Sequence, residues 1–199
     1  ISDSIVTQNA FIILEAIDIF ENVGRDTSNI FTVIDNIDPE LHIIQPGENF
    51  SVTENEIFTL EWSHSDNIEV ISNLFEFSLN GINFDTLLNI PELTEITESS
   101  VSLSGVSSNA IIRGSAFDEA GNSISSISEA FTIIDGTPPN VAMINPVSGS
   151  VYSIFDTLNI NLDYYDNVGV ETINLFYKVN EEWIAINQEN FSNNTYEWI

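Results

Sequence analysis

Apolar residues along this chain fall mostly on alternate positions. Phe58, Leu60 and Trp62 alternate with Thr59, Glu61 and Ser63, and Leu158, Ile160 and Leu162 alternate with Asn159, Asn161 and Asp163. A period of two sends successive side chains to opposite faces of an extended strand, so each segment has one apolar and one polar face. No stretch of ten or more residues keeps a helical period, and the predicted class is all-β.

Between residues 38 and 137 the pattern predicts seven strands. Leu41 and Ile43 open the first, Phe58 to Trp62 form the second, and Phe75, Phe77 and Leu79 lie on the third. Asn80-Gly81 predicts a two-residue hairpin into a fourth strand through Ile82 and Phe84. Val101 and Leu103 begin the fifth, Ala110, Ile112, Gly114 and Ala116 line the sixth, and Phe131 and Ile133 mark the seventh. Seven short antiparallel strands predict a two-sheet sandwich of immunoglobulin or fibronectin III type.

The same pattern returns at an offset of 100 residues. Asn9, Ala10, Ile12, Ala16, Asp18, Asn22, Phe31 and Asp35 recur as Asn109, Ala110, Ile112, Ala116, Asp118, Asn122, Phe131 and Asp135, and Asp66-Asn67 recurs as Asp166-Asn167, without insertion or deletion. A fixed period of domain size predicts tandem seven-stranded antiparallel sandwiches, each a folded module. The cut is out of phase with the modules. Ile1, Ser2, Ser4 and Val6 align with Val101, Ser102, Ser104 and Val106, and Trp198-Ile199 aligns with Glu98-Ser99. The expected division is therefore strands five to seven of one module plus linker at 1–37, a complete module at 38–137, and strands one to four of a further module at 138–199. Each fragment exposes half a core. Either the chain is a window onto a longer tandem polypeptide, or the C-terminal half of one subunit pairs with the N-terminal half of the next and builds a fibre.

Composition narrows the partners. Lys and Arg number 3 against 31 Asp and Glu, a formal charge of −28. Such a chain repels nucleic acid and anionic membranes and attracts cations, although solubility or a saline habitat selects the same surface. With 43% hydrophobic and 11% aromatic residues it folds. It has no cysteine, so no disulfides join the modules. No apolar run reaches the ~18 residues of a helical membrane span, so membrane insertion is not expected. Ile1 is neither an initiator Met nor the start of a signal-peptide pattern, which suits a mature product or an excerpt.

Three motifs carry a resemblance: Asp118-Glu119-Ala120-Gly121-Asn122 after a strand, Asp166-Asn167-Val168-Gly169-Val170, and the linker Asp135-Gly136-Thr137-Pro138-Pro139. Over nearly its whole length the chain resembles the bacterial Ig-like, cadherin-like and fibronectin-like repeats of large surface proteins and adhesins. The first copy departs from the pattern with Asp18-Ile19-Phe20-Glu21-Asn22 and Asp35-Asn36-Ile37-Asp38-Pro39. The resemblance implies an extracellular, cell-surface stalk or fibre, secreted, with a surface ligand at the tip of the array.

In a sandwich of this topology the second-to-third and sixth-to-seventh loops share the pole where the preceding linker enters. That brings Asp35 and Asp38 near Asp66 and Asn67 and near Asp118, Glu119 and Asn122, while the next junction offers Asp135 with Asp166 and Asn167. Oxygen ligands converging from three segments suit Ca²⁺, which takes six to eight of them. The expectation is that calcium stiffens the junctions between modules. Asp, Asn and Gly are also the ordinary residues of turns.

An enzyme is disfavoured. His42 and His64 become Ala142 and Tyr164 in the other copy, and no serine, histidine and acid arrangement, phosphate loop or zinc spacing is visible. A glycan- or protein-binding module remains an alternative, with Trp62, Trp183 or Trp198 as its platform, although Trp62 alternates with core residues. The sequons at Asn49, Asn190 and Asn193 are short enough to arise by chance. The expected function is a non-catalytic array whose partners are neighbouring repeats or identical subunits head to tail.

Overall fold

The computed structural model describes residues 5–92, 97–186, 191–192 and 194–199. Ile1, Ser2 and Ser4 of the predicted N-terminal strand, and Asn190 and Asn193 of the sequons, lie outside the described residues. The chain is all-β, with nineteen strands and no helix among the described residues. It divides into two units, Ile1–Ile134 and Asp135–Ile199.

Unit 1 opens with two ribbons. β1 (Thr7–Ala10) pairs with β4 (Phe31–Val33), and β2 (Ile13–Ile17) pairs with β3 (Val23–Thr27). A two-sheet β-sandwich follows. β5 (Glu40–Gln45), β7 (Ile57–Ser65) and β10 (Glu98–Ser102) form one sheet in the order β10-β7-β5. The other has the order β6-β13-β11-β8-β9 with β12 also on β11, built from β6 (Ser51–Thr53), β8 (Val70–Ser78), β9 (Asp85–Ile90), β11 (Ser107–Asp118), β12 (Ser123–Ile127) and β13 (Phe131–Ile134).

Nine strands thus stand where seven were expected, because two are broken. Pro46 has no N–H to continue the ladder, so β5 stops at Gln45 and the chain resumes as β6 in the opposite sheet, parallel to β13. The last strand is likewise divided into β12 and β13, both pairing with β11. The expected two-residue hairpin at Asn80-Gly81 is wider, and β9 begins only at Asp85, so Ile82 and Phe84 belong to the loop. The reason is local. Asn80 Oδ1 accepts the N–H groups of Ile82 and Asn83 at 2.9 and 3.1 Å, and Ser78 Oγ accepts that of Gly81 at 2.9 Å. Side chains therefore satisfy donors that a tight turn would have left to the strands.

Both sheets turn their apolar face to a single core, in which Leu41, Leu60 and Trp62 meet Phe75, Ile112 and Ile133. The Trp62 and Phe75 rings lie 4.6 Å apart. One polar group enters this core. Asn73 is buried, and its Oδ1 accepts Trp62 Nε1–H at 3.2 Å and contacts His64 Nδ1 at 2.9 Å. On the outer face of β11, Arg113 reaches Glu76 Oε2 at 2.7 Å and lies 4.0 Å above the Phe84 ring.

Unit 2 repeats part of this plan. β14 (Asn140–Asn145) pairs with β15 (Leu158–Tyr165), β16 (Phe176–Val179) with β17 (Glu182–Ala185), and β18 (Phe191–Ser192) with β19 (Thr195–Trp198). β19 also pairs with β15, the position that β10 takes on β7. A small core gathers Ile160, Leu175, Ile186 and Tyr196. Local hydrogen bonds recur at the 100-residue offset. Ile12 N–H donates to Ser28 Oγ at 2.9 Å and Ile112 N–H to Ser128 Oγ at 3.0 Å. The pairs Thr7↔Val33 and Ala10↔Phe31 match Ser107↔Ile133 and Ala110↔Phe131.

Candidate metal centre

Three carboxylates meet at one end of the sandwich in unit 1. Asp35 follows β4, Asp66 follows β7 and Asp118 ends β11, so each comes from a different segment. One oxygen from each lies within 4.8 Å of the others. Oxygens bound to one Ca²⁺ at 2.3–2.6 Å can be no farther apart than about 5.2 Å, so the trio fits a single coordination sphere.

Each carboxylate is held by its own loop. Asp118 is 3% exposed, and Asn122 grips it twice, N–H to Oδ1 at 2.7 Å and Nδ2 to Oδ2 at 2.6 Å. Asp66 Oδ2 accepts the N–H groups of Ile68 and Glu69 at 3.0 and 3.2 Å, closing a turn. Its Oδ1 is buried and has no hydrogen-bond partner in the protein. Asp35 Oδ1 accepts Ile37 N–H and Asn67 Nδ2, both at 3.1 Å. A buried carboxylate oxygen with no donor, beside two further carboxylates, is a costly arrangement for anions alone and a suitable one for a hard cation.

Of the ten residues singled out from sequence, Asp35, Asp66 and Asp118 form the trio. Asn67 and Asn122 orient it as amide donors. Asp38 and Glu119 are exposed and stand outside the group. In unit 2, Asp135 Oδ1 accepts Thr137 N–H at 3.0 Å, and Asp166 Oδ1 accepts Val168 and Gly169 N–H, each at 2.9 Å. Asp166 Oδ2 is buried without a partner, as Asp66 Oδ1 is in unit 1, while Asn167 is exposed. No group of three carboxylates forms around Asp135 and Asp166 among the described residues.

Asp18 has the same grip as Asp118. Asn22 N–H and Nδ2 donate to its two oxygens, each at 2.8 Å. The Asn22 side-chain bond, then the Asn22 and Phe20 backbone bonds, hold this exposed carboxyl below its ordinary pKa. Sequence reasoning missed the holding role of the asparagines, although Asp-x-x-x-Asn in both copies was its visible signal.

The rival platforms separate on exposure. Trp62 is 1% exposed and belongs to the core, whereas Trp183 is exposed, with Lys178 Nζ 6.0 Å from its ring centroid.

No protein-family model and no curated protein matches this chain. Among solved structures it is similar to the fibronectin(III)-like modules of Clostridium thermocellum CbhA, at 15% identity and a TM-score of 0.40. The match covers 64% of this chain and 64% of that one, so this chain spans somewhat less than two thirds of its length. Nothing about function passes between the two at that level of similarity.

Proposed function

We propose that this chain is a non-catalytic structural part of an extracellular stalk or fibre, in which sandwiches are strung at a 100-residue period and stiffened by Ca²⁺ at their junctions. The observation that carries the cation is Asp66 Oδ1, buried without a donor inside a group of three carboxylates. Asp35 comes from the segment that enters the sandwich, whereas Asp66 and Asp118 come from the sandwich itself. An ion bound to all three ties the entering segment to the module and restricts bending there.

Asp35, Asp66 and Asp118 would hold the cation, which supplies the positive charge that the site lacks. Asn122 and Asn67 keep the carboxylates aimed. The acidic surface, with a formal charge of −28, limits sticking between neighbouring fibres. The recurrence of turn bonds at a 100-residue offset supports a serial arrangement, because each copy builds its loops from the same local chemistry.

Calorimetric titration of Ca²⁺ into the full chain tests the site. Saturable binding, of order 10⁻⁴ M as in other extracellular modules, is expected, with loss of the strongest site in Asp66→Asn. Heats that match dilution alone would refute the cation, and a module that bends as freely with Ca²⁺ as without it in small-angle scattering would refute stiffening.

A further inference from the structure

Asn-Gly occurs once in this sequence, at Asn80-Gly81, in the loop between β8 and β9. Asn80 Oδ1 takes hydrogen bonds from three donors, Ser78 Oγ–H at 3.1 Å, Ile82 N–H at 2.9 Å and Asn83 N–H at 3.1 Å. The Ser78 hydroxyl in turn accepts Gly81 N–H at 2.9 Å. Ser78 is 1% exposed, so its hydroxyl is held in place and shielded from water, whereas Asn80 and Gly81 are exposed. We propose that this loop converts Asn80 by its own chemistry into aspartate and isoaspartate, with Ser78 as the proton shuttle. Position 80 is then a modification site of the module, independent of the cation and array readings.

The bonds from Gly81 N–H to Ser78 Oγ and from Ser78 Oγ–H to Asn80 Oδ1 trace the path that the protons must take. The Gly81 nitrogen attacks Asn80 Cγ, and the new C–N bond closes a five-membered ring. As it forms, the proton on nitrogen passes to Ser78 Oγ and the Ser78 proton passes to Oδ1, so no charge is left on either group. Negative charge developing on Oδ1 meets the Ile82 and Asn83 N–H groups, which are already aimed at it. The Cγ–Nδ2 bond then breaks, the proton on Oδ1 returns to Nδ2 through Ser78 or water, and ammonia leaves a cyclic imide. Water at the exposed loop opens the imide. Cleavage of the Cγ–N bond gives aspartate, and cleavage of the bond from the main-chain carbonyl to nitrogen gives isoaspartate. An amide and a water are consumed, and an acid and an ammonia are released.

Glycine at 81 serves this chemistry in two ways. Its φ of 73° lies where side-chain-bearing residues rarely sit, and it has no Cβ to crowd the attacking nitrogen. The 100-residue offset supplies an internal comparison. There Asn180 and Glu181 join β16 to β17 with φ values of 47° and 70°. Lys178 takes the place of Ser78, and its Nζ pairs with Glu181 Oε2 at 2.6 Å. An ammonium accepts no hydrogen bond, so Lys178 provides no shuttle, and the Glu181 side chain crowds the nitrogen. Asn180 should therefore stay intact. Isoaspartate at position 80 lengthens the main chain by a methylene and removes the acceptor that holds Ile82 and Asn83. The change falls in the loop that leads to Phe84, whose ring lies 4.0 Å from the Arg113 guanidinium, so the β9 edge of the sheet alters at a rate set by Ser78.

The test is peptide mapping by mass spectrometry of the full chain, held near neutral pH in water enriched in heavy oxygen. Wild type is expected to take up heavy oxygen at position 80, in both aspartyl and isoaspartyl forms, while Asn180 stays unchanged. Ser78→Ala loosens the loop, and bonds that merely held Asn80 in place would then let it convert faster. The shuttle predicts the opposite, a rate lower by about 10-fold or more, and Ser78→Thr, which keeps the hydroxyl, should restore it. Circular dichroism melting checks that each variant keeps its sandwich. Wild type unfolded in urea needs no substitution, and it should also convert more slowly than the folded chain. The proposal is overturned if Ser78→Ala converts as fast as wild type or faster, if unfolding speeds the reaction, or if Asn80 converts no faster than Asn180.

Discussion

Replacing Asp66 by Asn is expected to move stability in opposite directions with and without calcium. In the cation-free protein three carboxylate oxygens lie within 4.8 Å of one another, and at an effective dielectric of about 20 each pair repels by about 3.5 kcal/mol. Asp35 and Asp66 are half-exposed, so solvent and salt reduce this, and about 1 kcal/mol is a realistic net gain when two of the three pairs are removed. Asn keeps an oxygen to accept the Ile68 and Glu69 N–H groups, so the turn survives. In chelator the variant should therefore melt about 4–8 °C above wild type. In calcium at roughly 100 times Kd, wild type gains about 2.7 kcal/mol, a rise of about 10–20 °C, and the variant gains much less. The assay is calorimetric melting of both proteins in chelator and in about 10 mM Ca²⁺. If Asp66→Asn melts at or below wild type in chelator and calcium moves neither protein, the trio is an ordinary set of solvated acids and the reasoning fails.

Gly114→Ala should cost about 1–3 kcal/mol by overpacking against Phe75 and Leu41, read as a lower urea midpoint with an unchanged slope. Asn73→Ala removes the acceptor of the buried Trp62 N–H and should cost about 1–3 kcal/mol, whereas Trp62→Leu, His64→Tyr and Asn73→Ile together, the residues of the other copy, should recover part of it. Asn22→Ala should raise the Asp18 pKa toward 3.8, measured by NMR titration of its carboxyl carbon. The sign follows from a depressed folded pKa. The bonds from Asn22 and Phe20 favour the ionised form, so they stabilise the loop fully above the unfolded value and are lost as pH falls through the lower folded one.

The alternation in Phe58-Thr59-Leu60-Glu61-Trp62 is enough to predict a strand and its buried face, because a period of two leaves no other way to bury three large side chains together. The candidate carboxylates were legible for a related reason, since Asp before Asn or Gly at strand ends marks turns, and turns at one pole of a sandwich meet. Sequence could not separate Asp35, Asp66 and Asp118 from Asp38 and Glu119, which have the same chemistry a few residues away. That choice depends on where each side chain points once the sheets have stacked. Nor could it foresee that Asn80 and Ser78 would hold their neighbours' N–H groups and open the hairpin, because the Asn-Gly pair is equally at home in the tight turn. The 100-residue offset was plain in the sequence, but the meaning of its exceptions was not. That Leu14 stands for Gly114 and Ile13 for Arg113 becomes informative only when the register across β11 and β8 shows which residues face them. Patterning along the chain thus set the class, the faces and the repeat, whereas the packing of distant segments decided which charges meet and which side chains crowd one another.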